Sequence, residues 1–226
     1  MKKTFLLLIT ALPLAAIAQS KPTISILGDS YSTFQGYLTP DTNAVWYWRN
    51  PDLKVTDVTD VKQTWWWQLI ERGGYKLGVN NSFSGATVCY TGYDGADYTN
   101  RSFVNRATNL GSPDIILVFG ATNDEWAKVP VGKYKYNDFC IADLKTFRPA
   151  MACMLERLKD HYPGTKTFFI VNTVFGSEIK ESILSICKHY GVTTIQLKDI
   201  NMKNGHPTIE GMKAIADQVL KIIKKK

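Results

Sequence analysis

Five short apolar runs, at 23–27, 75–79, 114–119, 167–171 and 192–197, punctuate the chain, each rich in β-branched or aromatic residues. Runs of this length without polar alternation suit strands buried on both faces. Between and after them lie stretches with helical periodicity, at 63–72, 99–110, 139–161, 177–190 and 208–223. Alternating strand and helix predicts an α/β fold with right-handed crossovers: a five-stranded, mostly parallel sheet covered by helices on both faces. In such sheets ligands bind beyond the carboxyl ends of the strands. That rule directs attention to Gly28-Asp29-Ser30, to 80–85, to Gly120-Ala121-Thr122-Asn123-Asp124 and to Asn204-Gly205-His206-Pro207.

The 226 residues are 45% hydrophobic and 21% charged, with no Pro, Gly or Ser tract that would mark a linker. A single domain over 19–226 follows. The first residues differ in kind. Lys2 and Lys3 precede a short apolar stretch over 5–17, and Ala16-Ile17-Ala18 supplies the small residues of a cleavage site. This is the pattern of a secretory signal peptide at 1–18, and it is too short and too interrupted, by Thr10 and Pro13, for a membrane span. A secreted or periplasmic protein with no stable membrane span is expected. Loss of Lys2 and Lys3 lowers the formal charge of +7 by two, and Lys224, Lys225 and Lys226 sit at a helix end. No basic patch with a nucleic-acid-binding motif accompanies them, so no nucleic-acid partner is expected.

Cys89, Cys140, Cys153 and Cys187 allow three pairings, and spacing does not choose among them. Cys153 and Cys187 stand in apolar helical settings that suit buried free thiols. No pair has the C-x-x-C spacing of a zinc or redox site, and no metal or organic cofactor is implied. The oligomeric state is not legible.

Ser30 follows the first strand in Gly28-Asp29-Ser30, where a tight turn can project its hydroxyl. Alone this motif is weak, because a serine after a strand commonly caps the next helix. It gains weight from Gly120-Ala121-Thr122-Asn123-Asp124 and Gly205-His206-Pro207, which follow in order. Together these blocks resemble the SGNH/GDSL hydrolase family, over residues 28 to about 219. The resemblance implies a three-layer α/β/α, flavodoxin-like fold and an ester hydrolase. It places the nucleophile on Ser30 and the general base on His206. The oxyanion hole then falls on the Ser30 backbone N–H, on Gly85 in the second block and on the Asn123 side chain. It also exposes a departure, since Lys203 stands where the family has an aspartate three residues before the histidine. Asp199, Asn201 and Asn204 are the side chains near enough in sequence to orient the imidazole in its place, and a main-chain carbonyl between 199 and 205 is the alternative.

These assignments agree with what ester cleavage requires. A serine hydroxyl needs a neighbouring base, and neutral imidazole suits that task near neutral pH. His161 and His189 sit at helix ends, where histidine meets the dipole favourably and a structural role is expected. Asp29 and Asp124 could suggest a carboxylate pair for glycoside cleavage, but each reads better as a strut for its own turn. The irregular segment 32–60, rich in aromatics, either lines the site or covers the core. Three successive tryptophans, Trp65, Trp66 and Trp67, cannot share one helix face, so at least one is expected to be exposed or to line the cleft. Tyr31, Trp46, Trp48 and Trp126 are the candidates to contact substrate. Their rings favour a sugar, and hence a small-molecule or glycan ester as the partner. A lipase or lysophospholipase using the same residues, and a glycan-binding module on a decayed scaffold, are the alternatives.

Overall fold

The computed structural model describes residues 20–224, so the expected signal segment lies outside the described residues. Five strands, β1 (Thr23–Gly28), β2 (Lys76–Ser82), β3 (Ile115–Phe119), β4 (Lys166–Val171) and β5 (Thr193–Gln196), form one sheet. All its neighbours pair in parallel, in the order β2-β1-β3-β4-β5. Among the described residues six α-helices accompany the sheet: α1 (Trp65–Gly73), α2 (Phe103–Arg106), α3 (Thr122–Trp126), α4 (Phe147–His161), α5 (Ser177–Tyr190) and α6 (Ile209–Ile223).

Residue alternation along the strands builds two cores. Ile24 and Ile26 of β1, with Leu117 and Phe119 of β3, pack on one face against Trp65, Trp66 and Leu69 of α1 and Met212 and Ile215 of α6. Leu27, Ile116 and Val118 point to the other face, against α2, α4 and α5. Because both faces are covered, β1, β3 and the later part of β4 are buried residue after residue and read as continuous apolar runs, while the edge strand β2 alternates exposed and half-buried positions over 76–79. The strand order reverses direction between β1 and β3, and the crevice beyond their carboxyl ends is where sheets of this kind bind ligands. Ser30 follows β1 and Asn123 follows β3, one on each side of that crevice.

Two expected helices are shorter than their periodicity suggests. The 99–110 pattern breaks at Ser102, whose extended backbone separates a 3₁₀ turn, Thr99–Arg101, from α2, and whose hydroxyl caps Asn105 N. The 139–161 pattern becomes helical only at Phe147. Before it the Asp143 carboxylate accepts the Cys140 N–H and the Lys135 ammonium, holding a 3₁₀ turn over Asp143–Lys145, and Thr146 is extended. Side-chain acceptors here win over helix propagation.

The tryptophan run corrects one expectation. Trp65 and Trp66 are fully buried, Trp67 is half-buried against Tyr37, and none of the three packs against His206. Among the described residues all four cysteines are free thiols, Cys140 exposed and the other three buried. No described helix is long and apolar enough to cross a membrane.

Candidate active site

The turn after β1 is built for close approach. A Cβ on Gly28 would meet Ser82 Oγ at 2.4 Å, so only glycine fits between β1 and β2. Asp29 then caps the single 3₁₀ turn Ser30–Ser32 by accepting the Tyr31 N–H at 3.1 Å. Beneath it lies Arg106, buried, donating to the carbonyls of Gly28, Asn81 and Arg101. Burial pushes the Asp29 carboxyl up to about 7, against the pull of the Tyr31 N–H and Arg106. Ser30 is left 3% exposed. Its backbone N–H has no acceptor among the described residues, and neither does that of Gly85. Gly85 sits at a φ of 78°, a left-handed conformation that a side chain would strain.

Asn123 opens α3 after β3 and is equally enclosed, 3% exposed. Its amide orientation follows from its partners. The Ala86 carbonyl, which can only accept, lies 3.0 Å from Nδ2, and the Tyr93 hydroxyl donates to Oδ1 at 2.9 Å. One N–H of Asn123 remains without an acceptor among the described residues. The turn into α3 is strained, with Ala121 at a φ of 72°. Asp124 accepts the Val88 N–H at 2.8 Å and the Cys89 N–H at 3.4 Å, tying the segment after Gly85 to the β3 end. Burial raises its carboxyl to about 7 while those N–H groups oppose the rise. Asp29 therefore serves its own turn as expected, whereas Asp124 reaches out of its own turn to brace the segment after Gly85.

His206 lies on a feature that the strand and helix periods did not reveal. Met202–Lys203 (β6) and His206–Pro207 (β7) pair antiparallel around a two-residue loop. Asn204 and Gly205, at φ of 48° and 74°, have the positive values that a type I′ turn needs. An Asn-Gly pair is the sequence signal for that turn, and it was present to be read. From this hairpin, His206 Nε2 stands 2.9 Å from Ser30 Oγ and Nδ1 stands 3.1 Å from the Asn204 carbonyl. Since that carbonyl only accepts, Nδ1 carries the proton and Nε2 is left to accept from the serine. Burial pulls the imidazole down to about 4, partly offset by the Asn204 carbonyl.

Asp199 is corrected as the orienting acid. It is exposed, with a φ of 52°, and forms no hydrogen bond to His206. Lys203, standing where the family has its acid, donates from Nζ to the Leu53 carbonyl at 2.6 Å. Asn204 Nδ2 donates to the Lys54 and Val55 carbonyls, at 3.1 and 3.0 Å. The hairpin is thus fastened to the 32–60 segment. Tyr31 is corrected as a substrate contact: fully buried, it donates through its hydroxyl to the Gly205 carbonyl from below. Tyr47, also buried, does the same for Pro207 at 2.9 Å. Trp46 lies flat on His206, ring centroids 3.6 Å apart and planes 7° apart, so one face of its indole is already occupied. Trp126, 37% exposed, meets the imidazole edge-on at 5.9 Å, and Trp48, 45% exposed, lines a cavity of about 250 Å³ with Trp46, Pro51 and Val55. The 32–60 segment therefore does both things expected of it, covering the core with Phe34 and Tyr47 and bordering the site with Trp46 and Trp48.

Residues 22–223 match the GDSL-like lipase/acylhydrolase family. The chain belongs to that family. This GDSL-like protein is similar to a crystal structure from Bacteroides ovatus ATCC 8483 described as a GDSL-like lipase, with 53% identity and a TM-score of 0.90 over 92% of this chain and all of that one. A second, from Bacteroides uniformis ATCC 8492 and described in the same way, shares 47% identity and a TM-score of 0.89 over 92% and 98% of the two chains. A family two carbohydrate esterase from Clostridium thermocellum in complex with cellohexaose shares the fold, with a TM-score of 0.61 at 14% identity over 94% of this chain and 66% of that one. Among curated proteins, none matches by sequence. The GDSL-like hydrolase fold thus accounts for the five-stranded sheet, and the family is one of ester hydrolases.

Proposed function

We propose that this protein is a secreted serine esterase that removes an acyl group, an acetyl in the first instance, from a carbohydrate ester through an acyl-serine intermediate. The observation that carries the reading is the line Ser30 Oγ, His206 Nε2, His206 Nδ1, Asn204 carbonyl, with spacings of 2.9 and 3.1 Å. The Ser30 hydroxyl attacks the ester carbonyl carbon as its proton passes to Nε2. Collapse of the tetrahedral adduct expels the sugar alkoxide, which takes that proton, and water attacks the acyl-serine by the same relay. The developing oxyanion is held by the Ser30 and Gly85 backbone N–H groups and the free N–H of Asn123, which have no competing acceptor among the described residues. Losing one such donor costs about a hundredfold or more in rate.

The sugar side of the reading rests on aromatic rings at the rim. Trp126 is exposed beside the buried pair and Trp48 is exposed in the cavity that Trp46 also lines, and such faces stack on sugar rings. The carbohydrate esterase with the same fold supports the same choice. Secretion rests on the character of residues 1–18. The deciding experiment is a panel of acetylated sugars and p-nitrophenyl esters of rising chain length, run with the native protein and Ser30→Ala. Turnover highest on the acetyl sugars, and lost in Ser30→Ala, is expected. Turnover that survives the substitution removes Ser30 as nucleophile, and a rate that climbs with acyl length turns the assignment to a lipase.

A further inference from the structure

A general base that works without a carboxylate must still carry a positive charge in the transition state. In a Ser-His-Asp triad the acid both orients the imidazole and stabilises its cation. Here the Asn204 carbonyl orients Nδ1 but brings only a dipole. Among the described residues the groups around the ring offer no compensating anion. The ammonium of Lys203, which pairs with His206 across the hairpin, is turned to the Leu53 carbonyl. Asp57 accepts the Ile209 N–H, Asp29 caps the nucleophile's turn and sits below it, and Tyr31 and Tyr47 spend their hydroxyls on the Gly205 and Pro207 carbonyls.

What does cover the imidazole is Trp46. Its ring lies 3.6 Å from that of His206 and within 7° of parallel, while Tyr31, Trp126 and Tyr47 approach tilted or edge-on at 5.2, 5.9 and 6.3 Å. The stack leaves both imidazole nitrogens free in their plane to meet Ser30 and Asn204. Nor is the tryptophan placed independently of the nucleophile. Its backbone N–H donates to Thr33 Oγ1 at 2.9 Å, and that hydroxyl donates to the Ser30 carbonyl at 3.0 Å. The indole and the serine are thus registered to each other through one side chain.

Resting on the Ser30–His206 reading, we propose that Trp46 is a positioning residue whose π face takes over the charge-stabilising half of the missing acid's work, holding the imidazolium as it forms. The negative face of an indole attracts a cation placed over it, and the attraction is larger where water is excluded. It acts only once the ring is charged, so it favours the transition state over the neutral ground state.

The test compares two side chains of similar reach, Trp46→Phe, which keeps a π face, and Trp46→Leu, which does not. Trp46→Met supplies a second saturated side chain should the leucine variant not fold. The phenylalanine variant is expected within about threefold of native kcat and the saturated variants lower by about tenfold, with KM within about twofold in each. The His206 titration, followed by the NMR signal that disappears in His206→Gln, needs no turnover. It is expected to fall lower in the saturated variants than in Trp46→Phe by about half a pH unit or more. Equal titration and equal kcat in the aromatic and saturated variants overturn the proposal, leaving Trp46 as a mere cover. If Ser30→Ala retains turnover the Ser30–His206 reading fails instead, and the NMR comparison still decides whether the indole holds the cation.

Discussion

Asn123 shows how a single buried amide acquires a direction. Tyr93, thirty residues earlier, donates to Oδ1 and so leaves Nδ2 to the Ala86 carbonyl and the site. Removing that hydroxyl frees the amide to turn without removing it. Tyr93→Phe is expected to lower kcat by about tenfold with KM within about twofold, and steady-state kinetics on any turned-over ester checks it. A drop confined to KM would show that Tyr93 touches substrate instead. Ser30, Asn123 and His206 were legible because each stands in a short block just past a strand or before a helix. Tyr93 was not, since it lies in a loop of Tyr, Gly and Asp with no period, and its partner is fixed only by the fold.

The same limit appears one level up, in the hairpin that carries His206. The alternation of strand and helix announced the five strands and five of the helices. A two-residue strand is too short to show a period, and only the Asn-Gly pair marked this one. Its attachment to the 32–60 segment could not be read at all, because the acceptors at 53–55 are main-chain carbonyls that any residue supplies. With Asn204 holding the imidazole, Asp199→Asn is expected to leave kcat within about twofold. Lys203→Asp is expected to lower it severalfold rather than raise it, since the new carboxylate gives up the Leu53 tie. A severe loss in Asp199→Asn with its fold intact would restore the acid that the geometry denies.

Across the whole molecule, burial decides the fate of the thiols. Cys89, Cys153 and Cys187 are inside the helix-covered core, where burial raises each thiol above its ordinary range, and Cys140 alone is exposed. Three pairings were open from spacing, and packing leaves none of them made. One thiol in four is expected to react quickly with a thiol reagent in the native protein, and the other three only on unfolding. The unfolding midpoint is expected to be the same with and without reductant, and a midpoint that falls on reduction would show a disulfide.

The fastening of the His206 hairpin has a further consequence for how such a protein can change. Leu53 and Val55 lend it their carbonyls while the residues themselves stand 63% and 39% exposed. Selection can therefore rewrite those side chains, and with them the rim that a new substrate meets, while the base stays aimed at the serine. Specificity and chemistry are carried by different halves of the same residues, and a lineage is free to explore the first without risking the second.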